Sequence, residues 1–376
     1  MLVVRPFMFS DEQRDLRRAV RAFLEAASPE SEVRRLMETP EGYDPRVWAR
    51  LAGELDLVGL AVPAEFGGSG ASFVEVAVVC EEMGRRLFCA PYFSTAVLAV
   101  AALLRSGDTA AQKAWLPGIA AGETRATVAF AEENGRWDAG GITAVATPAG
   151  VGWEITGSKH YVLDGHTADL LLVAARTATG ISLFAVPGDA AGLTRASLLT
   201  LDQTRRLARV ELAATPASLV GEEGTAWPVL EHVLDLAAVA LAAEQAGGAQ
   251  VALDMAVQYA KDRVQFGRPI GSFQAVKHRC ADMLLEVESA RSAAYYAAWC
   301  AAEDDDAELA KVAAVAKAYC SDAYTQVTAD NIQVHGGIGF TWEHPAHLYF
   351  RRAKSDELLF GDPSAWRDRL ASRVGL

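Results

Sequence analysis

The period of the apolar residues changes twice along this chain, and a fold built from one kind of secondary structure cannot accommodate both changes. The first third reads as helix. Ser10 offers an N-cap to "SDEQRDLRRAVRAFLEAA", with Asp11 and Glu12 in the first turn, where the helix dipole favours negative charge. "LVGLAVPAEFGGSG" interrupts as a loop punctuated by Pro63, Gly67, Gly68 and Gly70. Helix resumes with "SFVEVAVVCEEMGRRL" and "STAVLAVAALLRSG". From about Thr124 the segments become short and rich in β-branched and aromatic residues, separated by Gly, Pro and Asp. "TRATVAFAEE", "GWEITGSKHYVLDG", "ADLLLVAART" and "ISLFAVPG" are strand signals with little room for helices between them. An antiparallel barrel or sandwich is expected there. After about Gly224 the helix signal returns and stays, in three long Ala/Leu-rich segments whose lengths fit an up-and-down bundle. The expected division is a helical domain over residues 1–122, a β domain over 123–222 and a helical bundle over 223–376, an α+β chain that is mostly α.

Composition narrows the function classes. At 376 residues the chain exceeds the usual span of a single core. Its 51% hydrophobic content suits a large helical protein that also buries surface between subunits. A net charge of -13 argues against nucleic-acid binding through a basic face. Cys80, Cys89, Cys280, Cys300 and Cys320 are odd in number and dispersed, so buried thiols are expected rather than a zinc site or a disulfide framework. The opening "MLVVRPFMF" is too short for a signal peptide, and no uninterrupted apolar run reaches the roughly 18 residues of a membrane span. A cytoplasmic protein is expected.

Two segments offer ligand chemistry. "RVQFGRPIGSFQ" lies between two long helices and presents Arg263 as a cation and fork donor, Phe266 as an apolar plate and Gln274 as an amide at the next helix start. By spacing alone it reads equally as a helix–helix turn with a solvated arginine. "QVHGGIGF" closes the third long helix, where Gly336 and Gly337 let backbone N–H groups approach an anion, or simply terminate the helix.

Together with the helical–β–helical order, these segments resemble the acyl-CoA dehydrogenase family over nearly the whole chain. The resemblance is carried in order by "LAGELDLVGLAVPAEFGGSG", "CEEMGR", "WLPGIAAGE", "GSKHYVLDGHTADLLLVAAR", "RVQFGRPIGSFQAVKH" and "QVHGGIGFTWEHPAHLYFRRAK". It implies FAD as cofactor and an acyl-CoA thioester as substrate, oxidised to the 2,3-enoyl form. In the family a carboxylate removes the α-proton while the β-hydrogen leaves as hydride to the flavin. It also implies a tetramer in which FAD lies across a dimer interface, with an electron-transfer flavoprotein as acceptor. Carried over by position, Arg263, Val264, Gln265, Phe266, Phe273 and Gln274 match the loop that holds the ADP half, and Gln333, Val334, His335, Gly336 and Gly337 match the glycine-rich turn.

The flavin side departs from the family pattern. Ala131 stands where the family has a threonine, with Arg136, Trp137 and Asp138 near the rest of that motif. Leu163 replaces a hydroxyl expected near the flavin. The usual catalytic glutamate falls on Phe360, with Gly361 and Asp362 following, and the alternative position on the first bundle helix falls on Ala237. Neither accepts a proton, and the loss of a positioned base costs about 10²–10⁴ in rate. Three arrangements remain open. The chain is one subunit of a hetero-oligomer whose homologous partner supplies the glutamate; it is a homo-oligomer with a relocated carboxylate, Glu244 or Asp362; or it is a non-catalytic flavin- or acyl-CoA-binding scaffold. His344 and His347 have no carboxylate pattern for a metal, and "EDDDAE" lacks the ligand spacing and glycine of a calcium loop. Ser272 fits a helix N-cap or a phosphate contact.

Overall fold

The computed structural model describes residues 8–303 and 305–376. The opening heptapeptide "MLVVRPF" and Asp304 of the acidic turn lie outside them. In chain order the helices before the sheet are α1 (Asp11–Ala27), α2 (Glu30–Met37), α3 (Pro45–Gly53), α4 (Phe73–Arg85), α5 (Val100–Arg105) and α6 (Thr109–Ala120). The strands β1 (Ala126–Ala129), β2 (Val145–Ala149), β3 (Gly152–Leu163), β4 (Leu170–Arg176), β5 (Ile181–Pro187), β6 (Leu193–Ser197) and β7 (Leu207–Val220) follow. Then come α7 (Ala226–Asp262), a short hairpin of β8 (Val264–Gln265) and β9 (Arg268–Pro269), α8 (Gln274–Ala301), α9 (Asp306–His335), α10 (Ala346–Leu358) and α11 (Pro363–Arg373).

Local chemistry sets several of these boundaries. Ser10 caps α1 in a reciprocal box: its hydroxyl accepts from the Gln13 N–H at 3.2 Å, and its own N–H donates to the Gln13 side chain at 2.9 Å. Asp108 starts α6 by accepting from the N–H groups of Ala110 and Ala111. One local feature escaped the periodicity: Phe93–Ala99, expected as ordinary helix, winds as a fully buried π-helix ahead of α5.

Two compact units divide the chain, and they do not follow its order. Residues 34–72 and 89–237 form one. In it β4, β2, β3, β7 and β5 pair in succession and β5 returns to β4, closing a ring. Ile155, Leu171, Val173, Phe184, Val186 and Val210 fill its core. The expectation of a purely antiparallel β domain is corrected at β4, which runs parallel to β1 and, at the Val145–Arg176 pair, to β2. On the β1 side the pairing is fastened at Arg125. Its guanidinium holds both oxygens of Asp169 at 2.7 and 2.8 Å, and its carbonyl accepts from the N–H groups of Asp169 and Leu170. The starts of β1 and β4 are thereby pinned side by side and point the same way.

Residues 8–33, 73–88 and 238–376 form the other unit, a helical bundle. α4 and α7 meet at paired glycines. A Cβ on Gly84 would lie 2.0 Å from the Glu244 carbonyl, and one on Gly247 would lie 2.0 Å from that of Glu81, so only glycine permits this approach. Arg17 and Arg21 on α1 grip the buried carboxylates of Glu81 and Glu82 on α4 at 2.9 and 2.7 Å. Among the described residues α7 is long and apolar enough to cross a membrane, but 72% of its most apolar window is buried within the protein, the pattern of a core helix.

Candidate active site

The segments expected to hold the ADP end lie in the bundle unit. The hairpin after α7 turns through Phe266 and Gly267, both at positive φ, as a tight two-residue connection requires. Arg263 at its base is exposed. Phe266 at its tip is 89% exposed and meets Phe273 edge-on, while the Arg268 guanidinium lies over the Phe273 ring at 4.1 Å. Val264, Gln265 and Gln274 are exposed beside them. Ser272 does not cap α8: it ends a short 3-10 turn, and Phe273 occupies the cap position without a side-chain bond.

His335 is the last residue of α9. Gly336 follows in the left-handed region, its N–H donating to the Ile332 carbonyl. Neither Gly336 nor Gly337 has any atom within 4 Å of where a Cβ would stand, so the turn is an open cradle edged by exposed Gln333. Val334 points inward and is buried. Two guanidiniums, three side-chain amides and an uncovered glycine backbone form a donor set that fits a diphosphate and its adenosine.

The flavin-side motifs lie in the β unit. β1 leads into Phe130, Ala131 and Glu132. The Glu132 carboxylate accepts from Lys159 Nζ at 2.7 Å and from the N–H groups of Thr143 and Ala144 at 2.8 and 2.9 Å. Burial pushes its carboxyl upward, but the Lys159 charge and the Ala144 N–H outweigh burial and hold it below the usual range. Lys159 is fully buried, and burial draws its ammonium down to about 8 against the pull of Glu132. This pair was missed in the sequence. The available signal was a lysine on the inward face of a strand whose neighbours at that face are apolar.

The two positions where the resemblance leads one to expect hydroxyls, Ala131 and Leu163, carry none. Ala131 and Leu163 are both buried, and their carbonyls accept from the His160 N–H at 2.9 Å and the Thr127 hydroxyl at 2.6 Å. Trp137 and Trp227 each stack on the Phe130 ring, at 5.7 and 5.9 Å, filling space with aromatic surface. The donor chemistry here does not fit a flavin ring as the ADP segments fit their end.

The two positions on which the resemblance places the base hold no carboxylate. Phe360 is buried at positive φ, and Ala237 is wholly buried. Glu244 forms a buried ion pair with Arg352 of α10 at 2.5 Å. Asp362 is exposed and caps α11, accepting from the Ala365 N–H at 2.8 Å. Among the described residues no group of histidines, cysteines and carboxylates is placed to hold a metal.

Comparison with known proteins gives the same family at every level. The acyl-CoA dehydrogenase N-terminal, middle and C-terminal domains match residues 10–123, 127–211 and 224–375. The chain belongs to the acyl-CoA dehydrogenase family. It is 37% identical over 367 residues to the acyl-CoA dehydrogenase IpdE2 of Mycolicibacterium smegmatis, covering 97% of this chain and 99% of that one. Among solved structures it is similar to a chain of the Tcur3481-Tcur3483 steroid ACAD, with 34% identity, 97% and 98% coverage and a TM-score of 0.87. It also resembles a chain of the ChsE4-ChsE5 complex of Mycobacterium tuberculosis, with 30% identity, 98% and 99% coverage and a TM-score of 0.90. Membership makes this an FAD-dependent oxidoreductase fold acting on acyl-CoA thioesters, and it sharpens the chemical oddity of Phe360.

Proposed function

We propose that this chain is one subunit of a hetero-oligomeric, FAD-dependent acyl-CoA dehydrogenase that forms a 2,3-enoyl-CoA. It presents Arg263, Val264, Gln265, Phe266, Phe273 and Gln274, with Gln333, Gly336 and Gly337, to the ADP end of FAD, and Val334 and His335 lie buried behind that turn. A homologous partner chain supplies the catalytic glutamate and the flavin-facing hydroxyls. The three-domain division at residues 122 and 222, a cytoplasmic location and an electron-transfer flavoprotein as acceptor belong to the same reading. Bound FAD supplies the hydride acceptor; this chain's part is to bind and orient it.

The observation that carries the proposal is Phe360. It stands where the family places its base, buried in a left-handed turn, while the ADP-facing donors remain complete. Losses confined to one side of a shared site are what a division of labour between two chains leaves behind. The two carboxylates that a relocated base would need already have other partners, Arg352 for Glu244 and the α11 backbone for Asp362. Similarity to chains of two structures named for two components, one called a steroid ACAD, supports a heteromer and a steroid-derived acyl group.

The test is to purify the chain alone and with a co-expressed homologue that retains the glutamate, measuring flavin per chain, assembly mass and acyl-CoA oxidation. Turnover should require the partner. Full flavin content with full turnover from the chain alone would sink the proposal, and binding without turnover in either state would favour the scaffold.

A further inference from the structure

Behind the hairpin and the glycine turn, three rings stack in series. The Tyr259 and His335 centroids lie 4.3 Å apart at 29°, and those of His335 and His344 lie 4.2 Å apart at 43°. Each ring belongs to a different stretch of chain. Tyr259 sits on the last turn of α7, and its carbonyl accepts the N–H of Arg263 at 2.9 Å. His335 ends α9, immediately ahead of Gly336. His344 precedes α10, and its Nδ1 accepts from the Ala346 N–H at 3.2 Å.

The middle ring is fixed in orientation. His335 Nδ1 lies 2.9 Å from the Asn331 carbonyl, so Nδ1 carries the proton and donates. His335 is buried, and burial draws its pKa below the ordinary value, which keeps it neutral beside His344. Two imidazolium rings at that spacing would repel.

The two outer segments are short and largely exposed. The hairpin is two residues per strand, with an exposed tip at positive φ. The turn has two glycines with open space where side chains would pack. Their spacing depends on what lies behind them, and the stack joins them directly, beside the packing of α8 on α9.

We propose that the Tyr259–His335–His344 stack is a positioning device that sets the distance between the Arg263 hairpin and the Gly336–Gly337 turn, and so shapes the cradle for the ADP end of FAD. Tyr259 and His344 do so without touching the nucleotide. This inference rests on the proposed assignment of the ADP end to those two segments.

The experiment measures ADP affinity by titration calorimetry, and FAD retention, on the full chain stripped of flavin in the assembly with which it purifies. Melting temperature without nucleotide is recorded for each variant. Tyr259→Leu fills the volume without a ring, and His335→Ala removes the middle of the stack. Each should raise the ADP dissociation constant about tenfold, the size expected when one aromatic pair is lost. Tyr259→Phe keeps the ring and should stay within about twofold. A purely structural role would lower the melting temperature of the ring-less variants without this rescue pattern in ADP affinity. The inference is overturned if Tyr259→Leu and His335→Ala bind ADP as the unaltered protein does, or if Tyr259→Phe loses affinity as Tyr259→Leu does. Arg263→Ala separates the two levels. If it weakens ADP binding while the ring variants do not, the stack fails alone; if it too binds ADP unchanged, the assignment of the ADP end fails with it.

Discussion

The indole N–H of Trp366 donates to the backbone carbonyl of Phe360 at 3.1 Å, across the turn that joins α10 to α11. Phe360 sits at φ 63, a conformation that costs a non-glycine residue about 1 kcal/mol or more, and the fully buried Trp366 helps to hold it there. The turn is therefore a rigid frame with an apolar side chain at its apex. Phe360→Glu places a carboxylate at that apex, where the proposed function puts the missing base, but leaves Ala131 and Leu163 without hydroxyls. It should not give turnover to the chain purified alone. Acyl-CoA oxidation by that single variant, without a partner, would show that the flavin side is intact after all.

The same turn is anchored from below by Lys317 of α9. Its ammonium donates to Ser321 Oγ at 2.9 Å and to the Asp356 and Glu357 carbonyls at 3.0 and 3.1 Å, satisfying the end of α10. Burial draws this lysine down to about 8, against the opposing charges of Asp356 and Glu357, from an ordinary value of 10.5. Between those two pH values the unfolded chain binds more protons than the folded one, so this lysine's contribution to stability rises with pH. Lys317→Met lacks that contribution. Denaturant unfolding of both proteins at pH 7.5 and 9.5 should show the difference moving in favour of the unaltered protein at the higher pH. A constant difference would contradict the assignment; Lys159 is common to both and cancels.

Glu244 and Arg352 form the buried ion pair that ties α7 to α10. Removing one partner leaves the other charge buried and unpaired, so Arg352→Met should cost about 3–5 kcal/mol in unfolding free energy. Glu244→Gln should also destabilise, yet leave kcat of the assembled enzyme within a few-fold, because a carboxylate held by a guanidinium is poorly suited to accept a substrate proton. A fall in kcat of about 10²-fold or more, with assembly intact, would make Glu244 the base instead.

Much of this was readable from the chain. Period changes placed the helical, β and helical stretches, and the Ser10 cap and the Gly336 turn follow from residue type and order. What the sequence hid depends on partners remote in the chain. The parallel β1–β4 edge is fastened where Arg125 meets Asp169, and a parallel pair carries no local turn signal. The π-helical winding of Phe93–Ala99 looks like any apolar helix by composition. Tyr259, His335 and His344 are ordinary helix-end residues until the fold brings their rings together. Glu244 was legible as a carboxylate near the alternative base position, but its partner lies on a helix more than a hundred residues away.

Glu132 and Lys159 offer an asymmetric test of the β unit. Without Lys159, the Glu132 carboxylate keeps the N–H groups of Thr143 and Ala144 and the Thr143 hydroxyl. Without the Glu132 charge, Lys159 keeps the Phe130 carbonyl at 3.2 Å as an acceptor, but no opposite charge within contact. Lys159→Met should therefore cost less than Glu132→Gln, which strands an ammonium in a site closed to water and should approach about 3–5 kcal/mol. The double variant should recover part of that loss, since neither charge remains to be buried unpaired. Chemical denaturation of the three variants checks the order. Equal costs for the two single changes would mean that Lys159 is already neutral in the folded protein, and that the pair is a hydrogen bond rather than a salt bridge.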